Sequence, residues 1–488
     1  MTSKPYLFLL LLLCCCIATA QKKDVHSGND STIVYKKIEN LSQKSKFNRF
    51  IYKLLFKSNR QTKSTSGAKR RRFLIKKSFD RNEGKIIRNI NIETLDPFGY
   101  SVDNYKDQPE KGFEKFGNSL HIKSKNWTIH NLLLFKKNEP LDSLIVKESE
   151  RLIRRQRYTR SVIIKPVEIP GSRDSVDISI RVLDTWSLIP NGTLSSSQGN
   201  FELTERNFLG LGHEFRNDYT RRFDTSRDAY LGKYSINNIK NTFINASLTY
   251  ENSLNNYTTK NARIERQFFS PLTRLAGGAF FEKRFFIDSL PDNSGIFNKQ
   301  NFKLDTQEYW LGHSFKIFKG KNEDFRTTNL VTTIGFKNVK YLQTPELVYD
   351  PTQFFANEKL YLATIGLNTR KFAEDKFLFN FGIIEDIPYG QVYAITGGFQ
   401  EKNNIQRTYL GGRFAYGDYF SIGYFSTNIE WGSFFNNGCT EETTFRIEGN
   451  YFTNLLNMGD WRLRQFVKPT LVIGNHRAPI IKDRLLIS

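Results

Sequence analysis

Cysteine is nearly absent from this chain. Its 488 residues hold four, and Cys14, Cys15 and Cys16 crowd one short stretch near the start. Once that stretch is removed only Cys439 remains, so no intrachain disulfide can form. Beyond residues 6–17 no apolar run approaches the roughly 18 residues that a helical membrane span needs. Motifs of catalysis are missing as well. His213-Glu214 is followed by Asn217 where a His-Glu-x-x-His motif would place its second histidine, and neither Cys-x-x-Cys nor Gly-x-Ser-x-Gly occurs. The six histidines (His26, His121, His130, His213, His313, His476) are scattered without ligand spacing. Gly210-x-Gly212 has no third glycine where a dinucleotide loop needs one. These absences predict no enzyme, no metal and no cofactor.

What is present is basic and aromatic. Lys and Arg number 72 against 49 Asp and Glu, a net charge of +23, and aromatics make up 14 % with 42 Phe and 22 Tyr. A basic balance invites nucleic acid. The first residues exclude it. Lys4 precedes the apolar residues 6–17, and Ala18-Thr19-Ala20 fits a cleavage site before Gln21, so residues 1–20 read as a secretory signal peptide and the chain is exported. Tyr, Phe, Asn, Thr and Gly rising together suit a membrane barrel, with its polar lumen and aromatic belts.

Residues 21–83 read as a basic periplasmic linker. Within them Phe47, Phe50, Ile51, Leu54 and Leu55 recur with helical spacing, predicting an amphipathic helix over 45–57. The Lys/Arg cluster at 69–72 reads as solvated linker. A compact domain is expected over 84–188. Ile90 and Ile92 alternate with polar neighbours as a half-buried strand, and a polar loop follows. A first short helix is predicted over 127–135. A second, with Asp142 as its N-cap, runs over 143–159. Strands are predicted over 160–170 and 175–188, the second from the strict alternation of Val176, Ile178, Ile180 and Val182. The order is β-α-α-β-β.

From 189 to 488 the chain alternates strand and turn. Ile244, Ala246, Leu248 and Tyr250 lie opposite Asn245, Ser247 and Thr249. The same period recurs at Tyr361 to Leu367, Phe425 to Trp431 and Phe445 to Tyr451. About a dozen such segments fall between 186 and 475, the count of a barrel whose strands face lipid on one side and water on the other. A backbone crossing hydrocarbon must satisfy its own hydrogen bonds, which favours closure. The expected fold is mostly β: a transmembrane antiparallel β-barrel behind one small α+β domain.

The β-α-α-β-β order, carried by Leu134-Phe135, the helix with Glu148-Ser149-Glu150-Arg151-Leu152 and the strand Val176 to Val182, resembles a POTRA domain. Asn207-Phe208-Leu209-Gly210-Leu211-Gly212 resembles the turn at the second strand of BamA-superfamily barrels, and Glu265 to Pro271 looks like an element of bacteroidete-type members. Together they resemble the BamA-type outer-membrane assembly and translocation superfamily over about residues 84–475. The resemblance implies a barrel in the bacterial outer membrane with a periplasmic N-terminal domain. Its partners would be outer-membrane lipid, unfolded outer-membrane or exported clients and periplasmic accessory proteins, with no nucleic acid. Clients would add as a strand along Ser161, Val162, Ile163, Ile164, Lys165 and Val167, where Pro166 suits an edge strand. Asn207, Phe208, Leu209, Gly210 and Gly212 would form the turn opening the barrel. A secretion pore for one exported client and a passive porin or surface antigen are the alternative readings. The superfamily's Arg-Gly-aromatic tripeptide and terminal aromatic are both missing, since the sequence ends Arg484-Leu485-Leu486-Ile487-Ser488. The chain is therefore expected to stop before its last strands, too early to close a barrel alone.

Overall fold

The computed structural model describes residues 79–459 and 461–476. The expected signal peptide, the helix over 45–57, the basic cluster at 69–72 and the residues at 484–488 lie outside this range. A small α+β unit leads into one very large antiparallel sheet.

The small unit holds three strands, β1 (Ile86–Leu95), β2 (Thr159–Glu168) and β3 (Ser175–Asp184), in the order β1-β3-β2. β3 is parallel to β1 and antiparallel to β2, so it is central. Between β1 and β2 come three helices, α1 (Gly112–Leu120), α2 (Asn126–His130) and α3 (Ser143–Arg154). The alternating Val176, Ile178, Ile180 and Val182 pack under α2 and α3 with Ile129, Leu133, Val146 and Ile153 in one core. Burying an aliphatic side chain of this kind is worth about 1.5–3 kcal/mol. Asp142 caps α3, accepting from the N–H groups of Leu144 at 3.0 Å and Ile145 at 3.2 Å.

Two expectations about the helices are corrected. α1 forms where a polar loop is predicted, because Glu114 reaches back to the N–H groups of Glu110 and Lys111 and holds the first turn. The helix expected over 127–135 stops at His130. The chain turns there, and Leu132, Leu133 and Phe135 reach the core from irregular backbone.

Only residues 185–187 separate β3 from the large sheet. Its first half comprises β4 (Leu188–Leu194), β5 (Gln198–Phe208), β6 (His213–Arg222), β7 (Arg227–Asn237), β8 (Asn245–Asn252), β9 (Thr258–Arg266) and β10 (Leu275–Pro291). Then follow β11 (Phe297–Lys316), the short α4 (Glu323–Thr327), β12 (Thr328–Gln343), β13 (Glu358–Lys376), β14 (Ile384–Lys402), β15 (Ile405–Phe420), β16 (Gly423–Asn436) and β17 (Cys439–Thr453). Each pairs with the next, without a crossover. β18 (Leu456–Met458) and β19 (Trp461–Leu463) make a small hairpin, and β20 (Phe466–Val467) and β21 (Thr470–Asn475) both lie along β17. The sheet counts 16 strands, and among the described residues no ladder joins β4 to β20 or β21.

The two faces differ chemically. Side chains alternate across a pleated sheet, and ladder partners share a face. Leu311 pairs with Ile334, and Ile365 with Ile395; their exposures are 60, 53, 52 and 61 %. On this same face Tyr309, Phe336, Tyr361 and Phe399 follow one another across four strands as a continuous aromatic row. The opposite face carries the ion pairs Glu308–Lys337, Arg413–Glu430 and Glu202–Arg216. An apolar face this extensive and uncovered is foreign to a protein meeting only water.

Candidate functional site

The Asn207 to Gly212 hexapeptide ends β5 and turns into β6. Leu209, Gly210 and Gly212 all have positive φ, at 57°, 73° and 69°. Asn207 organises the turn: its side-chain oxygen accepts from the Gly212 N–H at 2.8 Å. Its amide donates outward, to Ser124 Oγ at 3.0 Å and to the Ile122 carbonyl. Ser124 in turn donates to Asp184 through both its N–H and its hydroxyl, at 2.7 and 2.9 Å, and His121 Nε2 lies 3.2 Å from the same carboxylate. The Gly210 carbonyl accepts from the Lys125 N–H and the Thr128 hydroxyl at the start of α2. A Cβ on Gly210 would strike the Lys123 carbonyl oxygen, and one on Gly212 would come 2.8 Å from the Tyr158 ring. The turn is thus seated on the small unit.

Four later connections and strand ends meet the same unit. The Asn238 side chain donates to the Asn131 carbonyl, and Phe243 enters the small unit's core, with Phe269 stacked on it at 3.9 Å. Ser270 donates to Glu148 at 2.9 Å, while Arg151 donates to the Phe269 carbonyl at 3.0 Å. Arg326 on α4 pairs with Asp142 at 2.9 Å. Arg154, at the end of α3, donates to Asp386 at 2.7 Å and Glu374 at 2.9 Å on the polar face of β13 and β14, with Glu150 3.3 Å away. Burial alone would lower the affinity of Arg154 for its proton; the three carboxylates outweigh that and raise it well above the ordinary guanidinium value. Sequence reading singled out the hexapeptide, the Glu265 to Pro271 stretch and Asp142, but none of these contacts, because each joins residues far apart in the chain.

β2 lies at an edge of the three-stranded sheet. Of the residues expected to meet a client, Val162 and Ile164 have side chains that are 3 and 1 % exposed and belong to the core. The alternation that marks β2 as a strand also sends these two inward. Ile163 packs with Leu95, Val102 and Leu183 on the other face, while Lys165 and Val167 are exposed. Register with β3 runs unbroken from Ser161 to Glu168, through Pro166 opposite Ile178. A proline keeps such a ladder where its missing N–H would point away from the partner strand. The N–H groups of Val162 and Ile164, two and four residues back, then also point away from β3. Their side chains stay buried, and among the described residues no other strand pairs with this edge of β2.

Among the described residues no group of His, Cys, Asp and Glu comes together as a metal site. No family model matches the chain, and no curated protein does. Among solved structures it is similar to CdiB from Acinetobacter baumannii, with 9 % identity over 91 % of this chain and 96 % of that one, at a TM-score of 0.34. CdiB from Escherichia coli aligns with 10 % identity over 93 % of this chain and all of that one, at a TM-score of 0.31. BamA from Haemophilus ducreyi lacking POTRA domains 1-3 aligns with 10 % identity over 79 % of this chain and 85 % of that one, also at 0.31.

Proposed function

We propose that this chain is an outer-membrane β-barrel protein that assists insertion or translocation of proteins, its POTRA-like unit receiving unfolded clients by strand addition in the periplasm. The two-faced sheet carries the proposal. An exposed apolar face with an aromatic row suits lipid, and an opposite face of ion pairs suits a wet lumen. The small unit sits at one end of that polar face, where Arg154 meets Glu374 and Asp386. β2 offers a free edge beside it. Main-chain pairing recognises extended polypeptide with little regard to sequence, as an assembly or translocation protein needs. The role involves no cofactor and no bond cleavage.

A photo-crosslinking residue at Lys165, introduced in the membrane-embedded full chain, tests the proposal. Adducts to several unfolded exported or outer-membrane proteins are expected. Adducts to one exported protein alone would favour a dedicated secretion pore. Absence of adducts, with small-solute conductance retained, would replace the proposal with a porin.

A further inference from the structure

Between α3, β2 and the ends of β13 and β14 lies a cavity of about 580 Å³ whose wall is dominated by arginine. Three of these arginines are already matched: Arg151 with Glu148, Arg154 with Asp386 and Glu374, and Arg157 with Glu214. Four others, Arg155, Arg160, Arg206 and Arg370, line the same space with no carboxylate within salt-bridge distance among the described residues, although Glu148 lies near enough to Arg370 to act on its charge. The Nε atoms of Arg206 and Arg370 are buried without any acceptor, and Arg370 spends one other nitrogen on the Phe268 carbonyl. Two carboxylates on the wall do not neutralise the four. Asp386 is held by Arg154, and Glu385 accepts from the N–H groups of Leu378 and Phe379. Burial and the neighbouring Arg151 charge both weaken the hold of Arg155 on its proton, so this site favours an incoming negative charge.

We propose that this cavity binds the carboxylates of an acidic segment in an extended client polypeptide. Guanidinium forks match carboxylates two bonds at a time, and the volume lies in the range of built ligand sites. Position favours a polypeptide over a lipid headgroup. Arg370, Phe372 and Asp386 belong to the polar face of the sheet, opposite the apolar one. Thr159 and Arg160, which begin β2, form part of the wall. A strand added along the β2 edge therefore runs into the cavity. The inference rests on the strand-addition reading and deepens it by naming what the site selects.

The test uses the full chain in neutral detergent and two labelled probes, tetra-aspartate and tetra-asparagine. Both are too short to extend the β2 sheet, so they report on the cavity and not on the edge. Tetra-aspartate should bind about tenfold more tightly, a preference that fades with salt. The double variant Arg155→Gln/Arg160→Gln should lose most of that preference while binding tetra-asparagine as before and melting at the same temperature. Equal binding of the two probes overturns the proposal, and so does a preference that survives in the double variant. Discrimination between wild type and variant by phosphatidylglycerol vesicles, with none by the peptides, also overturns it and assigns the site to lipid. Loss of the Lys165 crosslinks with the tetra-aspartate preference intact would instead count against strand addition alone.

Discussion

The Asn207 side-chain amide donates to the Ser124 hydroxyl across 3.0 Å, joining residues 83 apart in sequence at a buried site. That bond fastens the first long hairpin of the sheet to the small unit. Asn207→Ala strips donors and acceptors from a place water does not reach, leaving Ser124, the Ile122 carbonyl and the Gly212 N–H short of partners. Stability should fall by about 1–3 kcal/mol. Thermal unfolding followed by circular dichroism measures the loss. Hydrogen exchange at residues 121–131 should accelerate in the same variant.

Gly210 and Gly212 should resist substitution more than glycines of open turns. Each combines positive φ with a close neighbour, the Lys123 carbonyl or the Tyr158 ring. Gly210→Ala and Gly212→Ala should each cost about 1–3 kcal/mol. Gly295→Ala, also at positive φ but in open space, supplies the control, which carries only the backbone strain. Urea titrations of the three variants side by side separate strain from collision.

Arg154 is the charged centre of the dock. Its side chain is 5 % exposed, and it faces Asp386, Glu374 and Glu150. Arg154→Met takes the cation away from Asp386 and Glu374 and should destabilise by about 3–5 kcal/mol. Removing charge on both sides, as Arg154→Met with Glu374→Gln and Asp386→Asn, should recover part of the loss. Unfolding free energies of the single and combined variants test this through their non-additivity.

Asp142 links stability to pH. Burial opposes its charge, but Arg326 and the N–H groups of Ile145 and Leu144 outweigh burial and hold its carboxyl below the ordinary range. A carboxyl depressed in the folded state stabilises at neutral pH, and the contribution disappears as pH falls through its folded pKa. Asp142→Asn keeps a helix cap but removes the ion pair. The stability gap between wild type and this variant should therefore be full at pH 7 and close below about pH 4. Melting temperatures across that range check it.

Much of the large sheet was legible because its period is local. Alternation at Tyr361 to Leu367 lies within β13, at Phe425 to Trp431 within β16, and at Phe445 to Tyr451 within β17. The β1-β3-β2 order was harder to read, since parallel pairing of β1 and β3 joins segments about 90 residues apart. α1 escaped notice because its apolar residues Phe113, Phe116 and Leu120 lie exposed on a short helix between glycines and prolines. At the candidate site, the hexapeptide stood out through its glycines. Ser270 lay in the Glu265 to Pro271 stretch that also stood out, but its contact did not; Phe243 and Arg326 did not stand out, because nothing around them in sequence says that a turn will be seated on another unit. The inward turn of Val162 and Ile164 followed from the same alternation that marked β2 as a strand; which face carries the helices is a tertiary fact.

The hairpin ends meet the small unit in chain order: first the turn at Asn207, then Phe243, Ser270 and Arg326, and lastly Glu374 and Asp386. Apart from Phe243, every residue of this unit's core precedes the first hairpin in the chain. Each hairpin pairs with its immediate predecessor, a local step that needs little loop closure, and its end then meets a surface already waiting. The unit is therefore placed to fix the position of each hairpin end in turn, strand by strand. A fault at an early contact should misplace every later one, while a fault at Arg154 spares the hairpins laid down before it.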